Sequence, residues 1–352
     1  MNHTVIVGMS GGVDSSVTAL LLKQQGYNVI SLFMKNWEEK NAQGVCLAEQ
    51  DYEDVRKVCD QIDIPYYGVN FVEEYQNQVF AYFLKDLQAG YTPNPDVLCN
   101  REIKFKVFLE KAKQLGADFL ATGHYARILQ GENHHFLQKG KDPHKDQSYF
   151  LYTLKETILK NVLFPIGNYH KKEIREIAKK HHLATADKKD STGICFIGKR
   201  NFKQFLQNYL PYQKGEFKTL SGKTVGHHEG TAYYTIGQRK GLGIGGQGDA
   251  WFVVDKDVSQ NLIFVEQGHD HPSLYQLTLT ASDLSWVNES PSIPFQCTAK
   301  IRYRQEDQPC YIEKIEDGIA HVRFLNPQRA ITPHQSIVFY QNDRCLGGGL
   351  IN

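Results

Sequence analysis

The sequence predicts an α/β protein of several domains: a helix-flanked parallel sheet, then a small central domain, then a C-terminal antiparallel β-barrel. Three observations lead there. Short β-rich runs alternate with helical segments over the first third of the chain, the signature of βαβ units. After about residue 205, glycine and threonine become frequent and helical periodicity fades. From Leu277 onward, β-like runs separated by turns follow one another, as in a small antiparallel sheet or barrel. The 352 residues leave room for two or three domains at roughly 100–200 residues each.

Taken in order, Thr4 to Val7 is a short strand, and a turn-rich stretch leads into an apolar-periodic helix from about Ser15 to Gln25. Gly26 is placed to end it. Val29 to Met34 is the second strand. A helix near Asp51 to Gln61, a loop closed by Pro65 and the run Tyr66 to Val69 make the next unit. Helices from Glu73 to Gln88 and from Lys104 to Leu115 precede the strand Phe119 to Thr122. An amphipathic helix is expected around 171–181, with Ile174, Ile177 and Ala178 on its apolar side. Thr298 to Tyr303, Ala320 to Phe324 and Ser336 to Tyr340 are strands of the C-terminal part. Boundaries near 205 and 277 divide the chain into 1–205, 206–276 and 277–352.

Composition narrows the class. With 41% hydrophobic and 22% charged residues, the chain is neither disordered nor collagenous. It has no apolar run of about 18 residues, so no membrane span is expected, and its N-terminus lacks the marks of a secretory signal. Seven cysteines, an odd number with no C-x-x-C pair, disfavour a disulfide framework and a zinc ribbon. No metal site is expected, and reduced thiols fit a cytoplasmic location. Any one of these cysteines, taken alone, reads as a small buried apolar residue. The net charge of +1 hides an uneven spread: Lys139 to Lys203 holds 15 Lys+Arg and 7 Asp+Glu. Pairs such as Lys171-Lys172, Lys179-Lys180 and Lys188-Lys189 suit neutralisation of a phosphate backbone, although any single lysine fits a solvated helix face equally well.

The strongest motif is Ser10-Gly11-Gly12-Val13-Asp14-Ser15, set between the first strand and first helix. Its glycines allow a sharp turn and close approach, and Ser15 and Ser16 stand at a helix N-terminus, a ready anion site. It matches neither G-x-x-x-x-G-K-[ST] nor G-x-G-x-x-G. The loop resembles that of the pyrophosphate-loop ATPases. That resemblance implies ATP as co-substrate, brought with Mg²⁺ and cleaved between its α- and β-phosphates to adenylate a substrate oxygen. Gly8, Met9, Ser10, Gly11, Gly12, Val13, Asp14 and Ser15 would hold ATP. Met34 and Gly123, each ending a strand, would line the adenine pocket.

Two cysteines stand in unusual surroundings. Cys99 ends Thr92-Pro93-Asn94-Pro95-Asp96-Val97-Leu98-Cys99-Asn100, which reads as a rigid exposed loop because of its prolines and Asn-Pro step. Arg101, Lys104 and Lys106 follow at the start of a helix, and both features lower a thiol pKa. Cys195 lies in Lys189-Asp190-Ser191-Thr192-Gly193-Ile194-Cys195-Phe196-Ile197-Gly198, among apolar neighbours that by themselves suggest burial. These two stretches and the N-terminal loop are similar to those of the tRNA-specific 2-thiouridylases. The likeness extends nearly end to end through Gly123-His124-Tyr125-Ala126, Lys145-Asp146-Gln147-Ser148-Tyr149-Phe150, Tyr234-Thr235-Ile236-Gly237-Gln238-Arg239-Lys240-Gly241, Arg302-Tyr303-Arg304 and Gly347-Gly348-Gly349. Variation falls around Gln130 to Phe136 and 286–295.

The resemblance implies ATP-dependent 2-thiolation of the wobble uridine of tRNA anticodons. Cys195 would accept a persulfide from a donor protein, either a sulfur relay protein or a cysteine desulfurase. The sulfur would attack the adenylated base directly, or as hydrosulfide released by Cys99, leaving a transient Cys99–Cys195 disulfide. Cys99 could instead attack the base covalently. Asp96 is the candidate acid/base partner, with turn-capping as its plain alternative. Asn94, Pro95 and Asp96 would hold the target base, and His124, Lys145, Asp146, Gln147, Arg302, Tyr303 and Gln335 would contact tRNA, the C-terminal barrel serving as an RNA-binding module. Two other readings stay open at this point. A different pyrophosphate-loop synthetase would need no cysteine pair, and a non-enzymatic RNA-binding protein would need no intact loop.

Overall fold

The computed structural model describes residues 3–38, 47–190 and 202–352. The N-terminal sheet begins with β1 (Thr4–Met9), β2 (Asn28–Lys35), β3 (Tyr66–Asn70) and β4 (Phe119–Ala121). A hairpin of β5 (Ala126–Gln130) and β6 (His135–Lys139) then leaves the sheet before β7 (Val162–Leu163) completes it. All five sheet strands are parallel, in the order β3-β2-β1-β4-β7. The winding direction therefore reverses between β1 and β4, and the crevice at the carboxyl ends of those two strands is where such sheets bind ligands.

The side chains of β1 alternate between two cores, Val5, Val7 and Met9 facing one and Ile6 the other. Helices α1 (Val13–Gln24), α2 (Leu47–Ile62) and Lys171–Lys180 cover the first face. The opposite face carries two helical runs, Val72–Tyr75 through Ala81–Gln88 and Pro95–Leu98 through Phe108–Gln114. Each is interrupted by π-helix, at Gln76–Phe80 and at Cys99–Val107. Such turns concentrate at functional sites, and no spacing in the sequence announces them.

The second run corrects an expectation. It begins at Pro95, well before Lys104, because Asn94 is extended (φ −111, ψ 92) and accepts the Asp96 N–H at 3.2 Å. An asparagine cap followed by proline at the first helical position starts a helix. The stretch read as an exposed loop is thus a buried helix start, with Pro93, Pro95, Val97 and Cys99 inside.

The central sheet has the order β10-β11-β8-β9, formed by β8 (Gly215–Lys218), β9 (Thr224–His228), β10 (Trp251–Asp257) and β11 (Leu262–Gln267). The C-terminal barrel comprises β12 (Tyr275–Trp286), β13 (Phe295–Lys300), β14 (Gln308–Glu316), β15 (Ile319–Arg329), β16 (Ser336–Gln341) and β17 (Arg344–Ile351). Its order is β12-β15-β14-β13-β16-β17, and pairing of β12 with β17 closes it around Ile312, Val322, Phe324, Ile337 and Phe339. The strand expected to reach Tyr303 stops at Lys300. The β5–β6 hairpin joins β17 through Gln138 and Arg344, so the variable stretch from Gln130 to Phe136 is the tip of a strap from the first domain onto the barrel. Among the described residues, no helix is long and apolar enough to cross a membrane.

Candidate active site

The loop after β1 is shaped by its own residues. Gly11 has φ +72, and a Cβ there would lie 2.6 Å from the Asp51 carbonyl oxygen, so glycine alone fits. The Ser15 and Ser16 hydroxyls donate back to the Gly12 carbonyl at 3.1 and 2.9 Å. Ser15 Oγ also accepts the Ser10 N–H at 3.2 Å. Both serines are buried. Their hydroxyls therefore set the loop, which leaves the backbone N–H groups at the start of α1 as the donors suited to an anion. Gly123, just past β4, packs so closely that a Cβ would lie 2.9 Å from the Ser15 nitrogen. Met34 is buried near the end of β2, next to Phe33, which pairs with Met9.

A charged network closes over this loop. Asp14 accepts from Lys171 Nζ at 2.7 and 2.8 Å and from the Tyr125 hydroxyl at 2.7 Å. Lys171 Nζ also lies 2.9 Å from Asp190, which takes Lys145 at 2.7 Å and Arg175 at 2.6 Å. Burial raises the Asp190 carboxyl, but hydrogen bonds and charge from Lys145 and Lys171 outweigh it and hold the group well below the ordinary range. Burial, then the Asp14 charge, pushes the Tyr125 hydroxyl far up, so it stays protonated and donates. Sequence reasoning missed Tyr125 and Asp190 as site residues, although both lie inside quoted motifs. It also missed Asn36, just past β2, which is 1% exposed with neither amide atom partnered among the described residues. An orphaned buried amide costs about 1–3 kcal/mol, which fits a group kept for a ligand.

Cys99 stands at 0% exposure in the core beside the sheet. Gly8 packs against the helical run that carries Cys99, since a Cβ on it would lie 3.0 Å from the Phe108 ring. The cations expected to activate the thiol are partly spent: Arg101 pairs with Glu102 and Asp283, each at 2.9 Å, and Lys106 with Glu102 at 2.7 Å. Residues from all three domains hold the segment. Thr92 N–H donates to the Pro333 carbonyl, Gln335 Nε2 donates to the Thr92 carbonyl, and Thr92 Oγ1 meets Thr235 Oγ1 at 3.4 Å. Tyr91 stacks on His334 at 3.7 Å, and Asn100 Nδ2 donates to the Phe150 carbonyl at 3.0 Å. Cys195 lies outside the described residues. Cys59, Cys297, Cys310 and Cys345 are buried, in keeping with packing roles.

The other RNA candidates are more internal than their sequence positions suggest. His124 is buried, with Nδ1 2.7 Å from Thr122 Oγ1, and burial followed by the Lys104 charge drives its pKa well down, so it is neutral. Asp146 is buried and accepts the Gly140 and Ser148 N–H groups at 2.9 and 3.1 Å. Gln147 Oε1 accepts the Tyr125 N–H at 2.9 Å. Arg302 donates to the Arg329 and Ala330 carbonyls, and Tyr303 packs against Phe150. Much of the basic excess is also met by carboxylates from elsewhere in the chain. Lys139 pairs with Asp307, Lys171 with Asp14, Lys188 with Asp51 and Asp54, and Lys203 with Glu229.

Three family profiles cover nearly the whole chain. Residues 3–199 match a tRNA methyl transferase HUP domain, 203–267 a tRNA methyl transferase PRC-barrel domain, and 276–351 an aminomethyltransferase beta-barrel domain. The tRNA-specific 2-thiouridylase MnmA of Protochlamydia amoebophila is 64% identical over 349 residues, covering 99% of this chain and 93% of its own. The protein of that name from Geobacillus thermodenitrificans is 57% identical, covering 99% and 94%. A solved U34-tRNA thiolase from Methanococcus maripaludis aligns over 60% of this chain and 68% of its own at 18% identity, with a TM-score of 0.36. That likeness is too remote to carry an argument.

Proposed function

The chain belongs to the tRNA-specific 2-thiouridylase family, and from that premise we propose how its own residues carry the reaction. The protein is a sulfurtransferase that uses ATP to thiolate a tRNA uridine. One observation supports the residue assignments most directly. Asp14 on the phosphate loop is tied through Lys171 to Asp190, and Asp190 opens the stretch that leads to Cys195. The ATP loop and the root of the sulfur-bearing segment are therefore joined by direct ion pairs.

In this reading residues 1–205 perform the chemistry, while 206–276 and 277–352 help to hold tRNA. Gly8, Met9, Ser10, Gly11, Gly12, Val13, Asp14 and Ser15 cradle ATP, with Met34 and Gly123 beside the adenine. The wobble uridine, splayed from its loop, is held by Asn94, Pro95 and Asp96. Its 2-oxygen attacks the α-phosphorus and pyrophosphate leaves, with the N-terminus of α1 and the Lys171 ammonium stabilising the developing charge. Mg²⁺, when bound with ATP, would screen the triphosphate; Asp14 is the carboxylate of the loop that would hold it, in exchange for its bonds to Lys171.

Cys195 carries a persulfide from a sulfur-donor protein. Its terminal sulfur attacks C2 and AMP leaves. Cys99 then attacks the Cys195 sulfur, freeing the 2-thiouridine and forming a Cys99–Cys195 disulfide that a dithiol reduces. Release of hydrosulfide by Cys99 before attack gives the same product and the same disulfide. Asp96 serves as acid/base partner. Because Cys99 is buried and its segment is held by contacts from the other two domains, tRNA docking on those domains would free it. Lys145, Arg302, Tyr303 and Gln335 face the RNA after that opening, and His124, Asp146 and Gln147 shape the wall behind them. A cytoplasmic setting with reduced thiols suits this cycle.

The decisive experiment incubates purified protein with tRNA, Mg-ATP and a persulfide donor, followed by nucleoside mass analysis. Formation of 2-thiouridine with stoichiometric AMP is the expected result. Folded protein that forms none overturns the reading.

A further inference from the structure

The motif from Tyr234 to Gly241 has no part in the chemistry above, yet it borders a cleft. Gly237 and Gln238 pair with Val253 of β10, the Gly237 N–H donating to its carbonyl at 2.8 Å and the Val253 N–H donating to Gln238 at 3.0 Å. The chain then swings out through Arg239 and a glycine-rich turn before returning at Trp251. Between these lies a cleft of about 290 Å³, lined by Arg239, Ile244, Gly245, Asp249 and Trp251 among others. Ligand clefts run from roughly 300 to 1,000 Å³, so this one, at the lower edge of that range, suits a group no larger than about a single base.

Its lining brings together an aromatic ring, a cation and a carboxylate. Trp251 is half-buried, packed on the central core at one side and lining the cleft at another. An aromatic plane of this kind stacks an unpaired base. Arg239 and Lys240 are exposed and make no ion pair among the described residues, whereas many lysines of the first domain are paired with carboxylates. Arg239 offers a donor fork and Asp249 an acceptor, enough to read a base edge. Gly245 needs neither positive φ nor space for a neighbour, since an added Cβ there meets nothing within 4 Å. The motif that leads into the cleft is in turn tied to its neighbours: Thr235 touches Thr92 of the Cys99 segment, and Gly237 abuts Ala330 of the barrel.

We propose that this cleft is a second nucleotide subsite, taking one unstacked base of the tRNA loop that presents the target uridine, with Trp251 beneath it and Arg239 and Asp249 at its edge. The proposal rests on the thiolation reading for its partner but can fail separately from it.

The test uses RNA hairpins carrying the anticodon loop, each with one loop base replaced by an abasic site, titrated against the full-length protein by fluorescence anisotropy. One abasic position is expected to weaken wild-type binding by roughly 5- to 150-fold. Trp251→Ala should weaken the intact hairpin by a similar factor, and that abasic change should then cost nothing more. Trp251→Phe keeps a ring and should recover most of the loss. Trp251 also supports the core, so Gly245→Leu provides a control: its Cβ meets nothing within 4 Å, folding as wild type is checked by thermal melting, and the longer side chain should weaken the intact hairpin by crowding the cleft. Penalties that multiply independently, or wild-type binding by Gly245→Leu, overturn the subsite. Thiolation of full-length tRNA by the wild-type protein is measured alongside. Product with a multiplicative cycle removes the subsite alone, and a folded protein without product removes the thiolation reading.

Discussion

The phosphate loop and the Cys99 segment are both short stretches beside the same sheet, and they are built in opposite ways. The loop is satisfied from within, by two serine hydroxyls bonded to the Gly12 carbonyl and one accepting the Ser10 N–H. The Cys99 segment is held from without, by Phe150 of its own domain, Thr235 of the central domain, and Pro333, Gln335 and Asp283 of the barrel. A phosphate cradle needs only backbone N–H groups in a fixed turn, which a few contiguous residues can supply. On the proposed reading Cys99 must become accessible when its substrate arrives, and the contacts that hold its segment come from all three domains. The difference teaches that the turn of the phosphate loop is set by contiguous residues, whereas access to Cys99, on the proposed reading, is coupled to whatever moves the other two domains.

The largest expected effect tests whether the outer segment is chemical at all. Cys99→Ser should lower 2-thiouridine formation by about 1,000-fold or more while leaving ATP affinity in place. Full product from that variant would reduce the segment to packing. Next comes the loop: Gly11→Ala places a Cβ against the Asp51 carbonyl at a left-handed φ, a conformation costing roughly 1–2 kcal/mol for other residues. Its KM for ATP should rise by at least about 10-fold, with Cys99 alkylation unchanged. An equal change in both readouts would dissolve the contrast between local and domain-held sites.

A smaller effect sharpens it. Gln335→Ala removes one bond to Thr92, and loss of about 0.5–1.5 kcal/mol should speed iodoacetamide labelling of Cys99 by roughly 2- to 10-fold, read by peptide mapping. Bound tRNA should speed wild-type labelling as well. The smallest effect concerns pH. The folded Asp190 carboxyl is depressed by Lys145 and Lys171 despite burial, so its contribution to stability is present above its unfolded pKa of about 3.9 and is lost as pH falls through the folded value. In urea unfolding, Asp190→Asn should therefore be less stable than wild type at pH 7, and the gap should narrow as pH drops below about 4.

Much of the first domain was legible in the sequence because its signals are local. Short β-rich runs, Gly26 after α1 and the Ser-Gly-Gly turn each depend on residues close in sequence, and the observed elements differ from expectation mainly at their ends. The prolines around Asn94 were legible too, but as a loop. An asparagine cap with proline behind it satisfies a turn or a helix start equally, and the apolar cluster waiting for Val97 and Cys99 decided between them. The β5–β6 strap was hidden because a short hairpin has little pattern of its own until β17 supplies a partner.

By itself, then, the sequence determined the order of domains, the phosphate loop and the identity of the residues that mark the family, since each is a matter of contiguous residues. The tertiary structure alone decided that Cys99 is sealed, that His124 and Asp146 are buried, and that much of the basic excess between Lys139 and Lys203 is matched by Asp14, Asp51, Asp54, Glu229 and Asp307. Burial and charge pairing depend on distance in space, and a carboxylate far along the chain neutralises a lysine as fully as its neighbour does.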